Sequence, residues 1–225
     1  MSRRFDGVIF DMGDILFDAS LWRRWLATAL QDLGVELDFD GLVELWEVKL
    51  VDVYRGRAAY WDRFDELLKD LGLEEGQRRD LSENARRKAL EVQADRRPMP
   101  GVPVTLDRLV REGVRLAVLS DNESGSSAVR GVLRQLGIEQ CFDAVITSAD
   151  IGSVKPEPAA YAAATSSIGL EARGCVFVGH DEDELVGARE AGLCSVAYNN
   201  HLPVSADVYV ERFEDLIAVV LGEDL

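Results

Sequence analysis

From Arg115 to Val210 the chain alternates short apolar runs rich in valine and isoleucine with longer segments that stop at a glycine, and that alternation leaves few folds open. The runs are 115–119 (RLAVL), 143–147 (DAVIT), 175–178 (CVFV), 194–197 (CSVA) and 208–210 (VYV), with one more far upstream at 7–10 (GVIF). They are too short for helices and fit buried strands. The spacers 126–136, 159–168 and 184–191 have helical length, and Gly137, Gly169 and Gly192 stand where a left-handed residue ends a helix. Strands separated by single helices need crossover connections, which predicts an α/β fold with a parallel sheet covered by helices on both faces.

The first run is separated from the second by about a hundred residues, far more than one crossover helix requires. Residues 18–97 contain no strand pattern but carry amphipathic stretches at 21–33, 42–53, 59–71 and 78–93, with Gly34 and Gly72 as stops. This predicts a helical domain at 18–97 inserted into a core made of 1–17 and 98–225. Pro98, Pro100, Gly101 and Pro103 punctuate the return to the core and mark an expected hinge. Trp22, Trp25, Trp46 and Trp61, all four tryptophans of the chain, lie in the insert and are expected mainly to pack its interior.

Charge narrows the partners. The chain of 225 residues has 25 Lys and Arg against 41 Asp and Glu, a net charge of −16, which disfavours nucleic acid. The helical insert holds 14 of the bases against 18 acids, so the surplus of acid lies mostly in the core. Asp6, Asp11 and Asp14 interrupt the N-terminal stretch where a signal peptide would be apolar, and no later run approaches the ~18 apolar residues of a membrane span. Cys141, Cys175 and Cys194 form no CxxC pair, which suits a reducing compartment. The expectation is a cytoplasmic protein with a small-molecule substrate and no membrane partner, either a monomer or a homodimer.

In an open parallel sheet ligands bind beyond the carboxyl ends of the strands. Those positions are strongly polar here: Asp11-Met12-Gly13-Asp14, Ser120-Asp121-Asn122, Thr147-Ser148 with Lys155-Pro156 soon after, and Gly179-His180-Asp181-Glu182-Asp183-Glu184. Each has an ordinary structural reading, as a turn, a helix cap, a solvated lysine or an acidic first turn. Together they place carboxylate, hydroxyl, lysine and an acidic cluster after successive strands.

In four segments, FDMGDIL at 10–16, VLSDN at 118–122, SADIGSVKPEPAAY at 148–161 and FVGHDEDELVGAREAGL at 177–193, the chain resembles the haloacid dehalogenase superfamily of hydrolases. The resemblance implies a Rossmann-like core and makes the insert an α-helical cap. It implies Asp11 as nucleophile, Ser120 as the hydroxyl that binds a phosphoryl oxygen, and Lys155 as the cation that neutralises both. Backbone N–H groups of Asp121 and Asn122 would assist at a helix N-terminus. Most phosphatases of the family bind Mg²⁺, here expected on Asp11, the Gly13 carbonyl, Asp181 and Glu184. Arg23 and Arg55 are candidate anion contacts from the insert, and His201 a candidate at the mouth of the cleft.

Two departures bear on the chemistry. Gly13 stands where the phosphatases usually carry a second aspartate that protonates the leaving group, and His180 where they carry a metal-binding aspartate. The first favours leaving groups that need little protonation, and the second weakens the expected Mg²⁺ site, because that ion prefers oxygen. The resemblance therefore implies a small-molecule phosphatase working through an aspartyl-phosphate on Asp11. The alternatives are a metal-independent 2-haloacid dehalogenase, whose typical tyrosine at the Gly13 position is missing, and a member that binds ligand without turnover.

Overall fold

The computed structural model describes residues 3–200 and 203–223. They divide into two units, the chain up to Asp18 together with that from Arg97 onward, and Ala19–Arg96.

The first unit is built on strands β1 (Gly7–Phe10), β2 (Arg115–Ser120), β3 (Ala144–Thr147), β4 (Cys175–Gly179), β5 (Cys194–Tyr198) and β6 (Val208–Val210). All neighbours run parallel in the order β3-β2-β1-β4-β5-β6. Each run read as a strand is one, because β-branched residues flanked by glycine and acid cannot sustain a helix but pack well on a pleat. Side-chain alternation divides them between two layers. Ile9, Ala117, Leu119 and Phe177 face one way, toward Tyr161 and Ala164 and toward Leu185 and Ala188. Phe10, one position along, faces the other way, stacking on Phe213 and meeting Phe142 edge-on. Fully burying a side chain of the size of Phe177 contributes ~1.5–3 kcal/mol, and Phe177 is 0% exposed.

The helices of the insert are α1 (Ser20–Asp32), α2 (Phe39–Tyr54), α3 (Tyr60–Asp70) and α4 (Glu75–Ala94), and those of the core α5 (Val102–Arg111), α6 (Ser126–Gln135), α7 (Ser148–Ile151), α8 (Pro158–Ser167), α9 (Glu182–Glu190) and α10 (Leu216–Leu221). The glycines read as stops, Gly137, Gly169 and Gly192, all have positive φ just past α6, α8 and α9. The apolar pattern does not reveal the single turn α7, where Thr147 caps the first turn by accepting the Asp150 N–H. It also places the start of α4 three residues late, because the capping box of Glu74 and Gln77 opens the helix ahead of its first apolar residue.

The insert unit has a core of its own. Trp22, Leu26 and Leu30 of α1, Leu42, Trp46 and Leu50 of α2, and Phe64, Leu67 and Leu68 of α3 are buried at helical spacing. Trp22 donates its indole N–H to the Ala85 carbonyl at 3.0 Å. Trp25 and Trp61 pack partly buried against the same cluster, so all four tryptophans serve this interior. Where the chain leaves the core unit and returns to it, Phe17 and Pro98 form an antiparallel bridge and the Met99 N–H bonds to the Leu16 carbonyl at 2.9 Å. Among the described residues no helix is long and apolar enough to cross a membrane, and the three cysteines are free thiols.

Candidate active site

The strand order decides where the polar strand ends meet. From β1 the chain builds outward through β2 and β3 on one side, then through β4, β5 and β6 on the other. The sheet therefore has its topological switch point between β1 and β4, where a crevice opens beyond the carboxyl ends. Asp11 follows β1 directly, and its N–H extends the ladder to the Val178 carbonyl at 2.9 Å. His180 follows Gly179 at the end of β4, and Ser120 ends β2 next door, buried at 5% exposure.

Lys155 is the centre of the arrangement. Its side chain is 1% exposed, and its ammonium donates to Asp11 Oδ1 and, at 3.0 Å, to the Glu184 carboxylate. The Phe177 ring lies 5.8 Å from the same nitrogen. A lone buried ammonium would cost several kcal/mol, so this one depends on its carboxylates. Burial opposes its charge, but Asp11, Glu184 and Asp121 outweigh burial and hold the Lys155 pKa well above the usual lysine range. Burial pushes Glu184 well above the usual carboxylate range, against the pull of Lys155 and with the repulsion of Asp11 and Asp181 adding to it.

The surrounding loops hold these groups in place. Asp121, expected to present its backbone to substrate, accepts the Lys155 backbone N–H with its carboxylate at 3.1 and 3.3 Å. The Asn122 N–H is taken by Ser148 Oγ at 3.0 Å, and Ser148 is 1% exposed. Helix α6 begins only at Ser126, whose N–H bonds to Asp150 at 2.7 Å. The expected helix N-terminus at Asp121 and Asn122 is thus corrected: two loop residues separate Asn122 from the Gly125 cap, and an acid of the chain itself occupies the helix start. After β1, Asp14 sits at φ +56° with its carbonyl accepting from Asn199 Nδ2 at 2.7 Å, so the loop beyond β5 pins the loop beyond β1. His201 lies outside the described residues. Arg23 pairs with Glu47 inside the helical unit, and Arg55 closes α2 there.

The expected Mg²⁺ donors do not form a set that fits the ion. Among the described residues no three His, Cys, Asp or Glu side chains converge closely enough to hold a metal. Asp11 and Glu184 are both engaged by Lys155, and Asp181 has 60% of its side chain exposed. His180 stands beside the nucleophile position: its Nε2 is 3.8 Å from Asp11 Oδ2, and its Nδ1 faces Asp181 at 3.4 Å. An imidazole nitrogen is a poor match for Mg²⁺, so the assignment of Asp11, Gly13, Asp181 and Glu184 as its ligands is not supported by the geometry.

Gly187 is a residue that strand-end logic missed. A Cβ there would lie 2.5 Å from Pro156 Cβ and 2.8 Å from the Pro156 carbonyl oxygen, so α9 approaches the Lys155-Pro156 turn as closely as a glycine allows. Gly187→Ala is therefore expected to move α9, which carries Glu184, away from the turn that carries Lys155. The expected cost is ~1–3 kcal/mol in urea unfolding, with kcat falling more than KM rises, and unchanged stability would contradict the close approach.

Asp121 adds a pH dependence. Burial, with Asp11 and Glu157 adding to it against the pull of Lys155, raises its pKa from 3.8 to about 6. Between these values the folded protein holds a proton that the unfolded chain has lost, so stability falls as pH rises from 4 to 6 and the penalty persists above. Asp121→Asn removes this penalty while keeping an oxygen for the Lys155 N–H. Its stability relative to wild type is expected to improve by on the order of 2 kcal/mol between pH 4 and pH 7, as measured by urea unfolding across that range.

The comparisons with known proteins agree with this architecture. The chain is 26% identical over 222 residues to a phosphoglycolate phosphatase of Yersinia pestis, covering 95% of this chain and 92% of that one. It is 27% identical over 222 residues to a glyceraldehyde 3-phosphate phosphatase of Methanothermobacter thermautotrophicus, covering 91% and 90%. Among solved structures, an L-2-haloacid dehalogenase from Xanthobacter autotrophicus superposes with a TM-score of 0.64 over 96% of this chain and 98% of that one, at 20% identity, a likeness of fold. The family model for haloacid dehalogenase-like hydrolases matches residues 5–192. With its parallel sheet in this strand order and an aspartate, a hydroxyl and a buried lysine at the sheet's carboxyl end, the chain belongs to the haloacid dehalogenase-like hydrolases.

Proposed function

We propose that the chain is a phosphatase of a small phosphorylated metabolite, with Asp11 as the nucleophile. The observation that carries this reading is the buried ammonium of Lys155 on the Asp11 carboxylate at the switch point of the sheet. The full-length similarity to two phosphatases supports it. An ionised carboxylate needs no base to attack. One Asp11 oxygen bonds to phosphorus as the ester P–O bond breaks and the leaving oxygen takes a proton from solvent. Water then attacks phosphorus, the bond to Asp11 breaks, and phosphate leaves with the carboxylate regenerated. Lys155 stabilises the charge on Asp11 and on the transferring group through both steps, and the Ser120 hydroxyl donates to a phosphoryl oxygen.

Phosphatases of this family generally use Mg²⁺. The residues around Asp11 do not fit that ion, and no step above depends on it. Gly13 offers no acid for the leaving group, so activity favours substrates that leave as weak bases, such as aryl, acyl and sugar-1-phosphates. The glycine and His180 also suit a dehalogenase, in which Asp11 attacks carbon and displaces halide. Phosphate release from p-nitrophenyl phosphate and acetyl phosphate, set against halide release from 2-chloropropionate, separates the two. The expected result is phosphate release, at least ~10-fold faster than from a simple alkyl phosphate. Halide release without phosphate release would overturn the proposal.

A further inference from the structure

The second oxygen of Asp11 and the histidine beside it carry an inference of their own. We infer that the His180 imidazole takes the place beside Asp11 where a divalent cation would otherwise bind, so that this site works with no cation bound there. The inference rests on Asp11 being the reacting centre, as proposed above.

Both oxygens of the Asp11 carboxylate face nitrogens of the chain itself. Oδ1 accepts from Lys155, and Oδ2 lies 3.8 Å from His180 Nε2. Glu184, the other buried acid, shares the same ammonium at 3.0 Å. The remaining acid, Asp181, meets the imidazole at its opposite nitrogen, Nδ1, at 3.4 Å. The ring therefore stands between Asp181 and Asp11, and a cation held by both carboxylates would require it to move. Mg²⁺ asks for six oxygens near 2.0–2.1 Å in an octahedron, and the set around Asp11 supplies an ammonium and an imidazole instead.

The placement of His180 follows from the sheet. β4 pairs with β1 so that Phe10 lies opposite Val178, and the Asp11 N–H bonds to the Val178 carbonyl at 2.9 Å. His180 is the residue that ends β4's path past Asp11, with 17% of its side chain exposed. Its position is thus set by strand register. An aspartate at this position would bring a carboxylate toward Asp11 and remove the ring that separates Asp11 from Asp181.

The test is metal binding measured separately from turnover, on the full chain after EDTA treatment and desalting. Mn²⁺ binding is followed by electron paramagnetic resonance and Mg²⁺ binding by calorimetry, for wild type, His180→Asp and His180→Asp combined with Asp11→Asn. Wild type is expected to show no saturable site that depends on Asp11. His180→Asp is expected to gain one, binding Mn²⁺ at least ~10-fold more tightly than wild type, and the added Asp11→Asn is expected to remove that gain. Hydrolysis of p-nitrophenyl phosphate by wild type is expected to change less than about 2-fold between EDTA and added Mg²⁺. One equivalent of either ion on wild type, lost in Asp11→Asn, would overturn the inference, as would activity that collapses in EDTA and returns with Mg²⁺. A His180→Asp protein that folds and binds no better than wild type would overturn the role given to His180. If wild type hydrolyses no phosphate at all, the phosphatase reading fails while the binding measurements still decide this one.

Discussion

Asp11→Asn is expected to lower kcat by at least ~10³-fold on whichever substrate the enzyme turns over. The amide has nearly the shape of the carboxylate but almost no nucleophilicity, so the covalent step is lost while the surrounding packing is kept. The substituted amide would retain an oxygen for the Lys155 ammonium, and Glu184 would still share that ammonium at 3.0 Å. The melting temperature is therefore expected to change far less than the rate. A second readout ties the loss to chemistry: acid-quenched wild type carries label from a ³²P-phosphate substrate, and Asp11→Asn carries none. Wild-type turnover in Asp11→Asn would show that the nucleophile lies elsewhere.

Lys155→Met is expected to have the largest effect on the fold itself. Methionine matches the length of the buried stem but leaves Asp11 and Glu184, with 12% and 16% of their side chains exposed, as neighbouring carboxylates without their shared cation. Removing one partner of a buried ion pair costs about 3–5 kcal/mol, to be read from urea unfolding at pH 7. The deficit is expected to shrink as pH falls. Burial already pushes Glu184 above the usual carboxylate range, and without the pull of Lys155 its folded form holds a proton more tightly still, so lowering the pH favours the folded state. Adding Glu184→Gln to Lys155→Met is expected to restore a substantial part of the stability at pH 7 but none of the activity, which separates the structural role of Lys155 from its part in hydrolysis. Equal stability of Lys155→Met and wild type at pH 7 would mean that the ammonium is not held between the two acids.

Much of this molecule was legible as pattern. A run such as CVFV can be read as a strand because β-branched and aromatic side chains restrict the backbone locally, whatever the strand later packs against. Trp22, Leu26 and Leu30 can be read as one helix face because the period of 3.6 residues is a property of the helix alone. The same local logic put Asp11 and Ser120 at strand ends and Lys155 in the loop that follows β3, on the side where an open sheet binds its ligands.

What the pattern could not supply was the pairing of groups distant in sequence. Asp121 looked like a substrate contact, yet its carboxylate is 34 positions from the backbone N–H it holds. Asn122 looked like an open donor until Ser148, 26 positions on, closed over it. Glu184 and Asp181 looked interchangeable in an acidic run, but the turn of α9 sends one to Lys155 and leaves the other against His180.

The sequence by itself therefore determined the six strands, most of the helices, their order along the chain and which loops beyond the strands carry reactive groups, because backbone sterics and side-chain periodicity act over a few residues. Only the tertiary structure decided the strand order, and with it which charges neutralise which. A Coulomb interaction depends on distance and burial, and both exist only once β1 lies between β2 and β4. That is why the hydrolase could be anticipated from its motifs, while the histidine beside its nucleophile acquires a role only in the folded sheet.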